Sequence, residues 1–358
     1  MKFKVALLAA AVAFSAQAVA GENEARINQS GLGNTADAFQ TGTGNELTAQ
    51  QSHLLNDAKS VQKGQYNKAK VMQSGIHASA DIYQAGYKNE SRMDQSGFDD
   101  RAKSVQKGQY NTSDIEQDGM LDDGVRADVY QAGYANTSRI EQSGSGNDAV
   151  SVQKGQYNES DVTQSGYRNT ADIYQAGYAN LSKVKQGGGY GNDVVSVQKG
   201  QYNESRVTQS GIKASADVYQ AGYANKSRIE QASYKNNADI VQKGEFNESR
   251  LSQTGKMNMA DIYQAGHGND SLIEQYRENS ATVVQKGTYN ESDILQDGLH
   301  DVADVFQAGY GNEARIAQSA SGLGSLMTNT ASIAQHGYNN NASIHQSGGA
   351  NGATVYQY

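Results

Sequence analysis

Six histidines, His53, His77, His267, His300, His336 and His345, are the side chains of this 358-residue chain best suited to moving a proton near neutral pH. They share no spacing and sit beside no carboxylate cluster, so solvated surface is the expected place for most of them. No Gly-x-Ser-x-Gly elbow marks a nucleophile. The stretch Gly187-Gly188-Gly189-Tyr190-Gly191 lacks the Lys-Ser/Thr and helix that a phosphate cradle requires, and reads as a turn. Asp99-Asp100 and Asp122-Asp123 would attract calcium only weakly without the Gly-Gly-x-Gly-x-Asp nonapeptide of calcium-binding β-rolls. No catalytic residue, metal or cofactor is expected, and the chain does not read as an enzyme.

The polar groups that do keep a spacing are amides. Gln recurs every 11 residues from Gln29 to Gln117, Gln131 to Gln186, Gln198 to Gln275, Gln285 to Gln318 and Gln335 to Gln357, thirty times in all. Asn commonly stands six residues before it, Ala or Ser four before, and Ile or Val two before. A buried amide is costly unless paired. Stacked at the strand spacing, each amide donates to one neighbouring rung and accepts from the other, forming the polar ladder of cross-β structures. The residues expected in such ladders include Asn67, Gln73, Asn89, Gln95, Asn111, Gln117, Asn136, Gln142, Asn158, Gln164, Asn169 and Gln175.

Steps of two residues place Asn, Ala/Ser, Ile/Val and Gln on one face of a strand, with charged, polar and aromatic residues on the other. A Gly two residues after the Gln then turns the chain back. The result is an all-β, cross-β architecture: a two-sheet parallel β-solenoid of about 15 stacked coils of 22 residues. Gln-Lys-Gly and Gln-Ala-Gly alternate at every second unit and define a first sheet; Ser-Gly and Asp-Gly units define a second. All four breaks in the spacing, after Gln117, Gln186, Gln275 and Gln318, leave the second sheet for the first. One edge is therefore free to bulge, while the other keeps a constant length. On the outer face, Tyr83, Tyr130, Tyr174, Tyr219 and Tyr263 form a spaced column that either solvates the sheet or offers a lateral contact.

Two domains are expected. Lys2 and Lys4, the apolar run Val5 to Phe14 and Ala18-Val19-Ala20 read as a secretory signal peptide over 1–20, ahead of a repeat domain over 21–358. Removing Lys2 and Lys4 leaves 28 Lys and Arg against 38 Asp and Glu, a balance that disfavours nucleic acid as a partner. No later segment is apolar enough to insert in a membrane. Cysteine is absent, so disulfides cannot stabilise an exported chain.

The unit Asn169-Thr-Ala-Asp-Ile-Tyr-Gln175-Ala-Gly177 resembles the curlin repeat of bacterial curli fibres, and the resemblance runs through essentially the whole chain after the first residues. It implies a secreted, non-enzymatic subunit that passes an outer-membrane secretion pore largely unfolded. Such a subunit assembles on a surface-bound nucleator into extracellular amyloid fibres of the biofilm matrix, serving adhesion and cell aggregation. The length resembles a major, bulk subunit; the alternatives are a minor nucleating subunit or a non-fibrous solenoid that binds ice or carbohydrate. Within this reading, self-association end to end would use Gln29 and Gln40 on one end and Gln346 and Gln357 on the other. Asp100 and Asp301, which replace the Asn six before Gln, would act as gatekeepers against premature stacking.

Overall fold

Residues 21–120, 123–319 and 328–358 are described by the computed structural model; the segment 1–20 and Asp122 lie outside them. Alternation makes each unit a strand. In β10 (Arg126–Tyr134), Ala127, Val129 and Gln131 point inward and are buried while Arg126 is exposed.

The described residues contain thirty strands in two sheets of 15. The second sheet begins with β1 (Glu24–Gln29) and ends with β29 (Asn341–Ser347), and the first runs from β2 (Thr35–Thr43) to β30 (Gly352–Gln357). Each strand pairs in parallel with the equivalent strands of the coils before and after it, always with Gln opposite Gln, as Gln131 stands between Gln106 and Gln153. The order of strands within a sheet is the order in the chain, so the coil advances without a crossover.

The space between the sheets is thin. One continuous cluster from Leu47 to Ile344 fills it, with Ile115, Ile140 and Ile229 among the fully buried side chains. Fully burying one such side chain contributes roughly 1.5–3 kcal/mol, and repetition along the stack sums many such terms. In the first four Gln-Lys-Gly strands of the first sheet, a small serine (Ser60, Ser104, Ser151, Ser196) takes the inward place of Ile or Val, which returns as Ile240 and Val283 in the last two.

The two edges differ as the spacing predicts. On the constant edge, the residue before each Asn is left-handed, including Tyr66 at φ 55° and Ala135 at φ 51°. Its N–H donates to the coil before, as from Tyr66 to Thr43 at 2.9 Å. The preceding glycine must stay glycine: Gly133 has φ 129°, and a Cβ there would lie 1.9 Å from the Gly155 carbonyl oxygen. The opposite edge absorbs every change of coil length. In β15 (Leu181–Tyr190), one extra residue bulges and the partner of Gly166 becomes Gly189. Among the described residues, no helix is long and apolar enough to cross a membrane.

Candidate functional site: stacked amide ladders

The inward Gln side chains form one ladder per sheet. In the second sheet, Gln73 Nε2 donates to Gln95 Oε1 at 2.8 Å, Gln95 to Gln117 at 2.9 Å, Gln117 to Gln142 at 3.0 Å and Gln142 to Gln164 at 2.8 Å. Gln175 belongs to the other ladder, accepting from Gln153 and donating to Gln198, both at 2.9 Å. The amide nitrogen also reaches backbone: Gln62 Nε2 lies 2.9 Å from the Glu46 carbonyl and 3.0 Å from that of Asn67. Each Gln thus links two rungs of its own sheet and the turn to the other sheet. A satisfied hydrogen bond of this kind contributes about 1 kcal/mol net, and leaving one partner orphaned costs more.

Asn forms the second set. Along the constant edge, Asn89 Nδ2 donates to Asn67 Oδ1, Asn111 to Asn89, Asn136 to Asn111 and Asn158 to Asn136, each at 3.0 Å. The same oxygens accept the backbone N–H of the next Asn, as Asn67 Oδ1 does from Asn89 at 3.1 Å. Asn169 stands on the opposite, variable edge, with its N–H 2.9 Å from Asn147 Oδ1. That edge is broken by Ala78, Asp100, Val125, Ala214 and Asp301, all buried in place of Asn. Gln donors point toward the C-terminal end and Asn donors toward the N-terminal end.

An inward Asn, Ala/Ser, Ile/Val and Gln followed by a turn Gly defines this site, and a family model describing the curlin associated repeat matches residues 126–155, 139–166, 235–266 and 329–358. The chain carries curlin associated repeats. No curated protein matches the chain. Outside the matched segments the Gln ladder continues, since Gln62 donates to Gln84 and Gln84 to Gln106, both at 2.9 Å.

The two buried carboxylates in the curlin-repeat stack are not equivalent. Asp100 Oδ2 accepts from the N–H groups of Gly97 at 3.0 Å and Gly119 at 3.3 Å, and Oδ1 from Val125 at 3.4 Å. Asp301 Oδ1 accepts from Asn329 Nδ2 at 2.9 Å, as an Asn would, but its buried Oδ2 makes no hydrogen bond of good geometry: the Gly298 backbone beside it helps lower the carboxyl without closing the bond that Gly97 makes to Asp100. Burial pushes both carboxyls up from the usual range, against hydrogen bonds that lower them.

At the ends of the described stack, Gln29 and Gln40 donate upward to Gln51 at 2.6 Å and Gln62 at 2.7 Å, and no lower rung reaches their Oε1 atoms. Gln346 and Gln357 accept from Gln318 and Gln335, both at 2.8 Å, and donate only to backbone.

Outward residues complete the picture. Three of the six histidines face a single carboxylate exactly one coil away: His300 with Glu278 at 2.7 Å, His77 with Asp99 at 3.5 Å and His267 with Glu245 at 3.6 Å. The 22-residue spacing of these pairs was readable in the sequence. Arg206, Arg228 and Arg250 stand on neighbouring rungs of the second sheet, and each pairs within its own strand, with Glu204, Glu230 and Glu248. Among the described residues, no group of three or more His, Asp or Glu is placed to hold a metal ion.

The column from Tyr83 to Tyr263 stands as expected, but it is covered: Lys63 lies 5.7 Å above the Tyr83 ring and Lys154 5.5 Å above Tyr174, each lysine from the preceding coil. A second aromatic feature runs along the constant edge, where Lys88 lies over the Tyr87 and Tyr110 rings at 5.2 and 5.7 Å, and sequence reading missed it. From Tyr66 to Tyr310, twelve rings of successive coils meet with centroids 5.3–5.8 Å apart among the described residues. The available signal was the alternation of Gly-Gln-Tyr-Asn with Gly-Tyr-x-Asn, which moves the aromatic residue by one position in each coil.

Proposed function

We propose that this chain is the structural subunit of an extracellular, curli-like amyloid fibre and polymerises head to tail. The observation that carries the reading is the polarity of the ladders. One end of the stack presents the Oε1 acceptors of Gln29 and Gln40, and the other presents the amide donors of Gln346 and Gln357. Joining unlike ends continues both Gln ladders, whereas joining like ends sets acceptor against acceptor. Such a contact joins two different surfaces by a near-translation, so it propagates into an open filament.

The rest of the account rests on family resemblance and on the sequence. Residues 1–20 direct export, and a secretion pore and a surface nucleator are the partners. The fibre serves biofilm matrix and adhesion, with bulk rather than nucleating subunits favoured by the number of coils. Asp301, and with it Asp100, restrains stacking before export. The test uses residues 21–358, purified unfolded and diluted into buffer. A lag followed by thioflavin-positive fibres diffracting at about 4.8 Å and about 10 Å supports the proposal; a chain that stays monomeric for days at micromolar concentration refutes it.

A further inference from the structure

The aromatic edge has a chemical property that the ladder reading leaves unused. From Tyr66 to Tyr223 every ring is a phenol, with neighbouring centroids 5.4–5.8 Å apart and planes inclined at 62–85°. Edge-to-face packing of this sort aims the rim of one ring at the next. Alternate rings are open to solvent, Tyr66 and Tyr157 being 47% exposed and Tyr202 46%, while Tyr87, Tyr134 and Tyr178 between them are half-buried. The phenols also sense one another: burial first, and then the neighbouring Tyr134 and Tyr178, push the Tyr157 hydroxyl up.

We propose that this edge is an oxidative modification site at which tyrosines of successive coils are joined by dityrosine bonds. The co-reactant is hydrogen peroxide with a haem peroxidase. The oxidised haem removes one electron and one proton from each of two phenols, leaving phenoxyl radicals whose spin extends to the carbons ortho to oxygen. Two ortho carbons of adjacent rings form a C–C bond. The proton on each ortho carbon then moves to its phenoxyl oxygen and restores both rings. Two tyrosines and one peroxide yield one dityrosine and two waters. Stacking supplies what the coupling lacks in solution, two radicals held side by side. The Tyr83 column does not meet this requirement, because Val105 separates Tyr83 from Tyr130. Within the edge, Phe246 and His267 interrupt the phenols, so coupling stops at Tyr223 and resumes only between Tyr289 and Tyr310, 5.7 Å apart.

The experiment treats folded 21–358, mixed in equal parts as isotopically light and heavy chains, with haem peroxidase and peroxide, then maps cross-links by proteolysis and mass spectrometry. Expected are unmixed pairs between neighbouring coils, such as Tyr87 with Tyr110 and Tyr134 with Tyr157, and none between Tyr223 and Tyr289. Tyr134→Phe, which keeps the ring, should reduce the 110–134 and 134–157 products to background while leaving Tyr178 with Tyr202 intact. Cross-links that follow exposure alone would centre on Tyr338 and Tyr358, which are 80% and 91% exposed. That result, predominantly mixed-label pairs, or no dityrosine at all would overturn the proposal.

Discussion

At position 301 a carboxylate occupies an amide's place, and one oxygen is left buried without a hydrogen bond of good geometry. An orphaned buried acceptor costs about 1–3 kcal/mol. Asp301→Asn replaces that oxygen with a donor of the kind the Asn rungs of the same edge use, as Asn279 does, and should stabilise the fold by about 1–2 kcal/mol at neutral pH. Because burial raises the Asp301 carboxyl in the folded chain, the ionised form is the penalised one. Stability contributed at this residue therefore rises as pH falls from neutral toward the ordinary carboxylate range near about 4, where the unfolded chain also takes up its proton. The advantage of Asp301→Asn should accordingly shrink on acidification, as measured by denaturant midpoints at several pH values; an advantage that grows instead would refute the assignment. Asp100→Asn should bring no such gain, since it turns an amide NH₂ toward the N–H groups of Gly97 and Gly119. Both aspartates read alike in the sequence, because the difference lies in turn geometry rather than residue type.

At the level of the coil, strand and turn were legible because two constraints coincide, the two-residue alternation of the strand and the 11-residue return of Gln. The same constraints located the variable edge. Hidden from that reading were relations between coils that need exact positions at the turn: the edge-to-face rings and the lysines covering Tyr83 and Tyr174. The turn itself is sharply determined. Gly133→Ala puts a Cβ 1.9 Å from Gly155 O in a backbone region closed to most L-residues, and should destabilise by about 2–3 kcal/mol. Gly188→Ala, with φ 62° but open space around it, should cost only about 1 kcal/mol. Chemical denaturation of the two variants measures the contrast, and equal losses would show that the coil-to-coil approach is not what requires glycine.

Over the whole molecule, stability is the sum of coil terms and of interfaces between neighbouring coils. A central rung has intact neighbours on both sides; an end rung has one in the molecule and, by the proposed assembly, one in the next subunit. Gln29→Ala and Gln346→Ala should therefore slow fibre elongation several-fold more than Gln164→Ala, with seeded thioflavin kinetics as the readout; equal effects would argue against terminal joints. Partly buried Ala25, Ile27, Ala36 and Ala38 at one end, with Ala353 and Val355 at the other, would complete the apolar strip across the same joint. A reconstruction of the fibre at side-chain resolution tests this most directly. The account predicts Gln346 stacked on Gln29 and Gln357 on Gln40 at the strand spacing of about 4.8 Å, so that the joint is indistinguishable from an internal coil contact. Subunits arranged side by side or antiparallel, with both solenoid ends left open, would contradict it.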